Sequence, residues 1–344
     1  MDKNQIIGIS LISVLMLGYF GFMSTQKPET PIAPKNAITQ TVADTIKKIS
    51  IATDTALKAQ KLREYGDFAQ AMLGEEKDVV LENKDVVVTL STHGGTIKSV
   101  LLKNYFTWDK KQLYLFHPEN NQLSLIINTN KKPVNLYALY YAAYETAVGD
   151  TKTVTFKTDA GDGKTISHTY TLGAEGFAIE YKVQATGFGS ELPNLPLTLD
   201  WREQVERIEY DSEQARVKTT VNYMQQEDGF DHLSEATKDI EEETITNVNW
   251  ISLKQKFFNS GFIVREGKTI PSASIKSYPM YNDVPNAPIN SERFIKALEA
   301  QVQIPLEGVI TGTASYAFYF GPNDFKICKA VTEGYQKNVY LGWP

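Results

Sequence analysis

The sequence predicts a mainly β protein: a large antiparallel sandwich, preceded by one membrane-spanning helix and followed by a short helical segment. Three observations carry that expectation. Beyond Lys77 apolar and polar residues alternate with period two in short runs, as on strands buried on one face. Turn residues separate the runs, as at His93-Gly94-Gly95 and Asp159-Ala160-Gly161-Asp162-Gly163. No regular strand–helix alternation occurs, which excludes a parallel α/β architecture.

Composition bounds the function. The chain has 344 residues, 42% of them hydrophobic and 22% charged, which excludes wholesale disorder and allows one large or two modest domains. Thirty-five Lys and Arg against 41 Asp and Glu give a net charge of −6, with no basic cluster, so nucleic acid is not an expected partner. A single cysteine, Cys328, excludes an intramolecular disulfide and a multi-cysteine zinc site; it reads as a packed apolar side chain.

The amino terminus sets the expected compartment. Ile6 to Met23 reads IIGISLISVLMLGYFGFM, and Asn4 to Gln26 is free of charge. A helix over 6–23 spans about 27 Å against a hydrocarbon layer of about 30 Å, and the uncharged flanks supply the remainder. A cleaved signal peptide is opposed by the length of the run, by the lack of a clean small-x-small site after it and by the absence of a lipoprotein cysteine. Lys3 and the free amine favour a cytoplasmic amino end, despite Lys27 on the far side, with the remainder exported. The expected organisation is therefore an anchor at 1–24, a linker at 25–77, a β body at 78–322 and a helical segment at 323–344. Within the linker, the prolines of STQKPETPIAPKNAI mark a tether, and 40–73 is a marginal helix ending near Gly74.

Along the body, strands are expected at Val86–Leu90, Thr96–Leu102, Thr151–Thr158 and Lys164–Leu172, the last two forming a hairpin. Phe177, Ile179, Tyr181, Val183 and Ala185 alternate with mostly polar neighbours as one further strand. Arg216–Met224, Asn249–Lys254, Phe257–Arg265, Glu299–Ile304 and Gly308–Phe320 complete the set. A turn at Gly321-Pro322-Asn323 leads into a helix over Asp324–Val331, with Asn323 or Asp324 as its cap.

Catalytic chemistry finds little support. His93, His117, His168 and His232 show no metal-ligand spacing, and His168 shares the alternation of Ile166, Tyr170 and Leu172, which predicts a packing role. No GxSxG elbow or phosphate-binding glycine loop is present. Glu203, Glu206 and Glu209 recur every third residue and read as a solvated face interleaved with Arg202 and Arg207, since acid–base work needs carboxylates across a cleft. Glu241-Glu242-Glu243 reads as an exposed charged turn. Tyr137, Tyr140, Tyr141 and Tyr144 can line a groove and Phe257-Phe258 can plug a sandwich end, but in sheets such residues usually form core or cross-strand pairs. No catalytic residue, metal ligand or cofactor site is assigned, and an enzyme is not expected.

Five segments, in order, resemble the YidC family of bacterial membrane protein insertases, within the wider YidC/Oxa/Alb group. They are the anchor MDKNQIIGISLISVLMLGYFGF, STHGGTIKSVLLKNY at 91–105, HTYTLGAEGFAIEYKVQATG at 168–187, WISLKQKFFNSGFI at 250–263 and FYFGPNDFKICK at 318–329. The anchor and the last segment are most similar to versions from the Bacteroidetes. The resemblance implies a periplasmic β-supersandwich of galactose mutarotase-like fold, followed by a helix that packs on it and leads toward the membrane. It also implies an inner-membrane location. The implied partners are inserting membrane proteins, the Sec translocon with its accessory subunits, and the lipid bilayer. In the family, five further helices hold the hydrophilic groove and its arginine; this chain stops at Pro344, so no position here inherits that role, and 1–344 alone is not expected to insert proteins. The competing reading is a membrane-anchored sandwich that binds or epimerises a carbohydrate, for which His168 and Glu203 would have to converge in one cleft.

Overall fold

The computed structural model describes residues 63, 65–236, 239–278 and 293–339. The expected anchor at 6–23, the tether and most of the expected 40–73 helix lie outside the described residues. Among those described, no helix is long and apolar enough to cross a membrane.

A 3-10 turn at Gly66–Met72 leads into the first sheet, whose strands pair in sequence order: β1 (Asp78–Glu82), β2 (Val86–Ser91), β3 (Thr96–Phe106) and β4 (Gln112–Phe116). The second sheet has fourteen strands. In chain order they are β5 (Asn121–Ile127), β6 (Val134–Asn135), β7 (Ala142–Val148), β8 (Thr151–Asp159), β9 (Thr165–Leu172), β10 (Ala178–Thr186), β11 (Leu197–Glu206), β12 (Thr220–Gln225), β13 (Gly229–His232), β14 (Glu241–Lys254), β15 (Phe258–Val264), β16 (Ile270–Tyr278), β17 (Phe294–Ile304) and β18 (Ser315–Pro322). Across the sheet they run β6-β5-β11-β17-β16-β14-β15-β18-β10-β9-β8-β7, with the β12–β13 ribbon paired onto β14. Every pairing is antiparallel, as the alternating sequence predicts.

The alternation predicted for β9 and β10 is realised residue by residue: Ile166, His168, Tyr170 and Leu172 are buried opposite Ala185, Val183, Tyr181 and Ile179. β14 is long because it serves three neighbours, pairing β16 through its first half and both β15 and β12 through its second. β18 lies between β15 and β10 and joins the two halves of the sheet. Its Phe318 and Phe320 meet Trp201, Tyr181, Phe262 and Phe116 in the aromatic centre of one continuous core.

Three sequence expectations change. Within the expected strand Gly308–Phe320, Leu306–Thr311 forms helix α2, closed by Gly312 at φ +73°, and only Ser315–Pro322 is strand. Gly312 sits at the left-handed helix end where glycine is favoured, so the apolar run on either side of it splits into two elements. Within Arg216–Met224, residues 216 and 217 close helix α1 (Ser212–Val217), whose first turn is capped by Asp211 accepting from the Gln214 amide at 2.9 Å. Glu241–Glu243 is no turn: it begins β14, with ladder partners on β16. Helix α3 (Phe325–Val331) starts where expected, and the cap is Asp324, whose Oδ1 accepts from the Lys326 and Ile327 amides at 2.9 and 3.0 Å. Asn323 instead donates to the carbonyls of Gln255 and Phe258 at 2.8 and 3.1 Å, tying the helix start to the β14–β15 turn.

Past α3 the chain stays against the sheet. Asn338 accepts from Asn222 at 2.9 Å, Arg265 donates to the Val331 carbonyl at 2.7 Å and Trp250 to the Glu333 carbonyl at 3.1 Å. The fully buried Tyr335 donates its hydroxyl to Asn259 in the space above Gly261, where a Cβ would lie 2.0 Å from that hydroxyl.

Candidate functional site

β11 is the strand that carries chemistry. Leu199, Trp201, Glu203 and Val205 point inward and are buried, so the third-residue spacing of the glutamates crosses both faces of a strand. The expected solvated face is therefore incorrect. Glu203 is fully buried; Gln255 donates to its Oε1 at 2.8 Å and Oε2 has no hydrogen-bond partner. Burial pushes its pKa up to about 8, against the opposing pull of Ser260 and Gln255. Glu209 is half-buried with Oε1 unpartnered, and burial raises its pKa to about 7.

Between Val205 and Glu206 the pairing with β17 slips by one position, and the bulge brings Glu206 to the sandwich rim. There it meets His117, at the end of β4, and Arg293, at the start of β17. His117 Nδ1 accepts from the Glu119 amide at 3.3 Å, which leaves the proton on Nε2 to be donated to Glu206 Oε2 at 3.0 Å. Arg293 Nε donates to Glu206 Oε1 at 2.8 Å, and the same guanidinium pairs with Glu119. Burial works to raise the Glu206 pKa, but the bonds from His117 and Arg293 outweigh it and the net direction is down. Glu206 is thus held as a carboxylate while Glu203, three residues earlier, is held protonated at neutral pH.

His117, Glu119, Glu206 and Arg293 line a cleft of about 630 Å³. Its other wall is aromatic. Trp108 is 47% exposed, Tyr210 meets it edge-on at 5.6 Å, and the Arg207 guanidinium lies 5.2 Å over its ring. An aromatic shelf beside oriented charges suits binding of a polar segment. None of Trp108, Glu119, Arg207 and Arg293 carries a motif; Arg293 reaches Glu119 across 174 residues, a pairing that no local pattern reveals.

His168 sits elsewhere, in a directional chain of tyrosines. Tyr141 donates to the Leu136 carbonyl at 2.9 Å and so accepts from His168 Nε2 at 3.1 Å; His168 Nδ1 then accepts from Tyr181 at 2.9 Å, and Tyr181 from Tyr137 at 3.1 Å. Burial drives the His168 pKa down to about 3, so the ring is neutral and structural. The partners of His168 are tyrosines and that of Glu203 is Gln255, so the His–Glu convergence that epimerisation needs is not made by these two. Of the four tyrosines in that stretch, Tyr137 and Tyr141 are core, Tyr140 stacks on His93 at 4.6 Å, and Tyr144 is 58% exposed. Phe258 is buried against Tyr105 at 5.3 Å, whereas Phe257 is 54% exposed. Cys328 is buried, and burial pushes its thiol pKa up to about 11. Among the described residues, no cluster of three or more His, Cys, Asp or Glu side chains is arranged to hold a metal ion.

Comparison with known proteins gives a consistent picture. The model of the YidC periplasmic domain family matches residues 78–344. A membrane protein insertase YidC from Cytophaga hutchinsonii is 77% identical over 346 residues, covering all of this chain and 56% of the relative. Proteins of the same name from Amoebophilus asiaticus and Bacteroides fragilis are 32% and 28% identical, again over all of this chain and 56% of theirs. The chain spans little more than half the length of these relatives. Among solved structures, a galactose mutarotase related enzyme from Lactobacillus acidophilus is 11% identical, with TM-score 0.39 over 71% of this chain and 97% of that one. A galactose mutarotase-like protein from Lactobacillus casei is 10% identical, with TM-score 0.41 over 72% and 100%. These overlaps carry no argument about activity.

Proposed function

Because the chain belongs to the YidC family, matched through its periplasmic domain, we propose that it is the anchor and periplasmic portion of a membrane protein insertase. In this reading it assists insertion, folding and assembly of inner-membrane proteins, alone or with the Sec translocon and its accessory subunits. The observation that carries it is the family match over 78–344, together with 77% identity to a named insertase across the whole chain. Insertion needs no covalent step. Each unsatisfied polar group moved into hydrocarbon costs several kcal/mol, on the order of the barrier that a wet protein surface lowers. A module that only binds and positions is consistent with a cleft lined by Trp108, Glu206 and Arg293, and with His168 and Glu203 buried apart from each other in the core.

The uncharged run at 6–23 is the anchor in this reading, with Lys3 on the cytoplasmic side and the β body in the periplasm. The cleft between Trp108 and Arg293 is the surface assigned to contact with a polar segment of a partner. Protease added to spheroplasts tests the topology: the β body is expected to be digested while a short amino-terminal fragment stays protected. An untouched β body, or a mature chain beginning after Met23, overturns it. A photo-crosslinking residue in place of Tyr114, on the cleft wall, tests the contact. Adducts with translocon subunits or with a membrane protein in transit are expected, and their absence, with adducts formed from other faces, overturns the assignment.

A further inference from the structure

β7 closes one end of the large sheet and pairs only with β8 among the described residues. All seven residues, Ala142 to Val148, pair in unbroken register with Lys157 to Thr151. Six of the seven are exposed, on both faces of the strand, with Tyr144 at 58% and Val148 at 83%. The strand has no proline, no lysine and no bulge; Glu145 is its one charge. Its outer row of backbone N–H and C=O groups meets no hydrogen-bond partner among the described residues.

Among the described residues the other end strands are shorter, and β4, of five residues, has its Leu115 carbonyl taken by Asn121 at 3.2 Å. β1 places Asp78 and Glu82 in ion pairs with Lys98 and Lys103, β6 has two residues, and β13 has four. Shortness and charge are the usual defences of an edge against unwanted pairing; β7, with seven residues, is the longest of these edges, and Glu145 is its one charge. An open hollow of about 470 Å³ adjoins its first residues, lined by Leu73, Tyr140, Tyr144, Lys157 and Asp159. Such a hollow is suited to a side chain from a strand laid alongside.

We propose that the β7 edge docks an extended segment of another polypeptide by strand addition, with a lysine or arginine opposite Glu145 and small or β-branched residues on either side. A second copy of this chain is the poorer occupant. Two-fold antiparallel pairing over the full strand sets Glu145 directly opposite its own copy, which is destabilising, and shifting the register gives up pairs at both ends. Charge complementarity therefore selects a different chain with a basic residue at that point. The proposal rests on strand geometry and stands apart from the insertase reading; either can fail without the other.

The test uses the 344-residue chain in detergent micelles and a blocked nine-residue peptide alternating threonine and valine around a central arginine. Amide hydrogen exchange at 142–148 is expected to slow on peptide addition. The arginine peptide is expected to bind about five-fold tighter than its glutamate-centred counterpart, and Glu145→Lys, at an exposed position, to reverse the preference. N-methylation at alternate peptide residues separates strand addition from side-chain binding: one series abolishes binding and the other leaves it within about two-fold. Unchanged exchange in β7, identical behaviour of the two methylated series, an unreversed charge preference, or self-association through β7 overturns the proposal.

Discussion

Glu203 shows how a single side chain can be misread from spacing alone. Counting every third residue groups it with Glu206 and Glu209, yet strand parity groups it with Trp201 and Val205, and parity is what burial follows. That signal was present in TrpArgGluGlnVal; the bulge that frees Glu206 from it was not, because it depends on Phe294 of β17, 88 residues further along the chain. The raised pKa has a thermodynamic consequence. Between the ordinary glutamate value near 4.5 and the native value of about 8, the folded state holds a proton that the unfolded state has lost. Stability contributed by protonated Glu203 is thus complete below about pH 4.5 and drains away as pH rises through 8. Glu203→Gln keeps the shape and removes the titration. Urea unfolding from pH 5 to 9 should show the parent losing up to about 4 kcal/mol relative to this variant, with little difference between them at pH 5. A pH-independent difference would mean that the carboxyl is ionised throughout.

Elements differ in how openly the sequence declares them. β9 and β10 are legible because each has one buried face and clean alternation, whereas α2 hides in an apolar run that only Gly312 divides. The segment around Glu235 was silent because its partners are distant: Lys254 Nζ at 2.7 Å, Lys218 Nζ at 3.1 Å, and Lys296 Nζ at 3.2 Å from the Glu235 carbonyl. Lys254 is 3% exposed and Lys296 1%, so one carboxylate compensates cations that α1, β14 and β17 bring under the β13–β14 connection. Removing one partner of a buried pair strands the other charge. Glu235→Ala is expected to cost about 3–5 kcal/mol in denaturant unfolding, far more than an exposed pair such as Lys77–Glu75, whose loss should stay within about 1 kcal/mol. An equal, small effect at both sites would show that Lys254 reaches water or sheds its proton without penalty.

For the whole molecule, sandwich class and antiparallel order follow from composition and period, while strand order does not, since it is decided by pairings far apart in the chain. β11 waits for β17 and β10 for β18, and topology of this kind folds slowly, on the order of milliseconds to seconds. A chain ending at Ile304 retains seventeen of the described strands but leaves β10 and β15 without the strand between them. It should show no cooperative unfolding transition and fast amide exchange in both strands, whereas a sharp transition would mean that the two halves of the sheet fold independently.

Tyr335 in its slot over Gly261 gives the end of the chain a mechanical character. Load applied beyond Asn338 meets four attachments along the chain: Asn338 on Asn222, Tyr335 over Gly261, the Glu333 carbonyl on Trp250 and the Val331 carbonyl on Arg265. Attachments in series give way in turn from the carboxyl end, so the segment peels back until the Tyr335 ring must leave its slot.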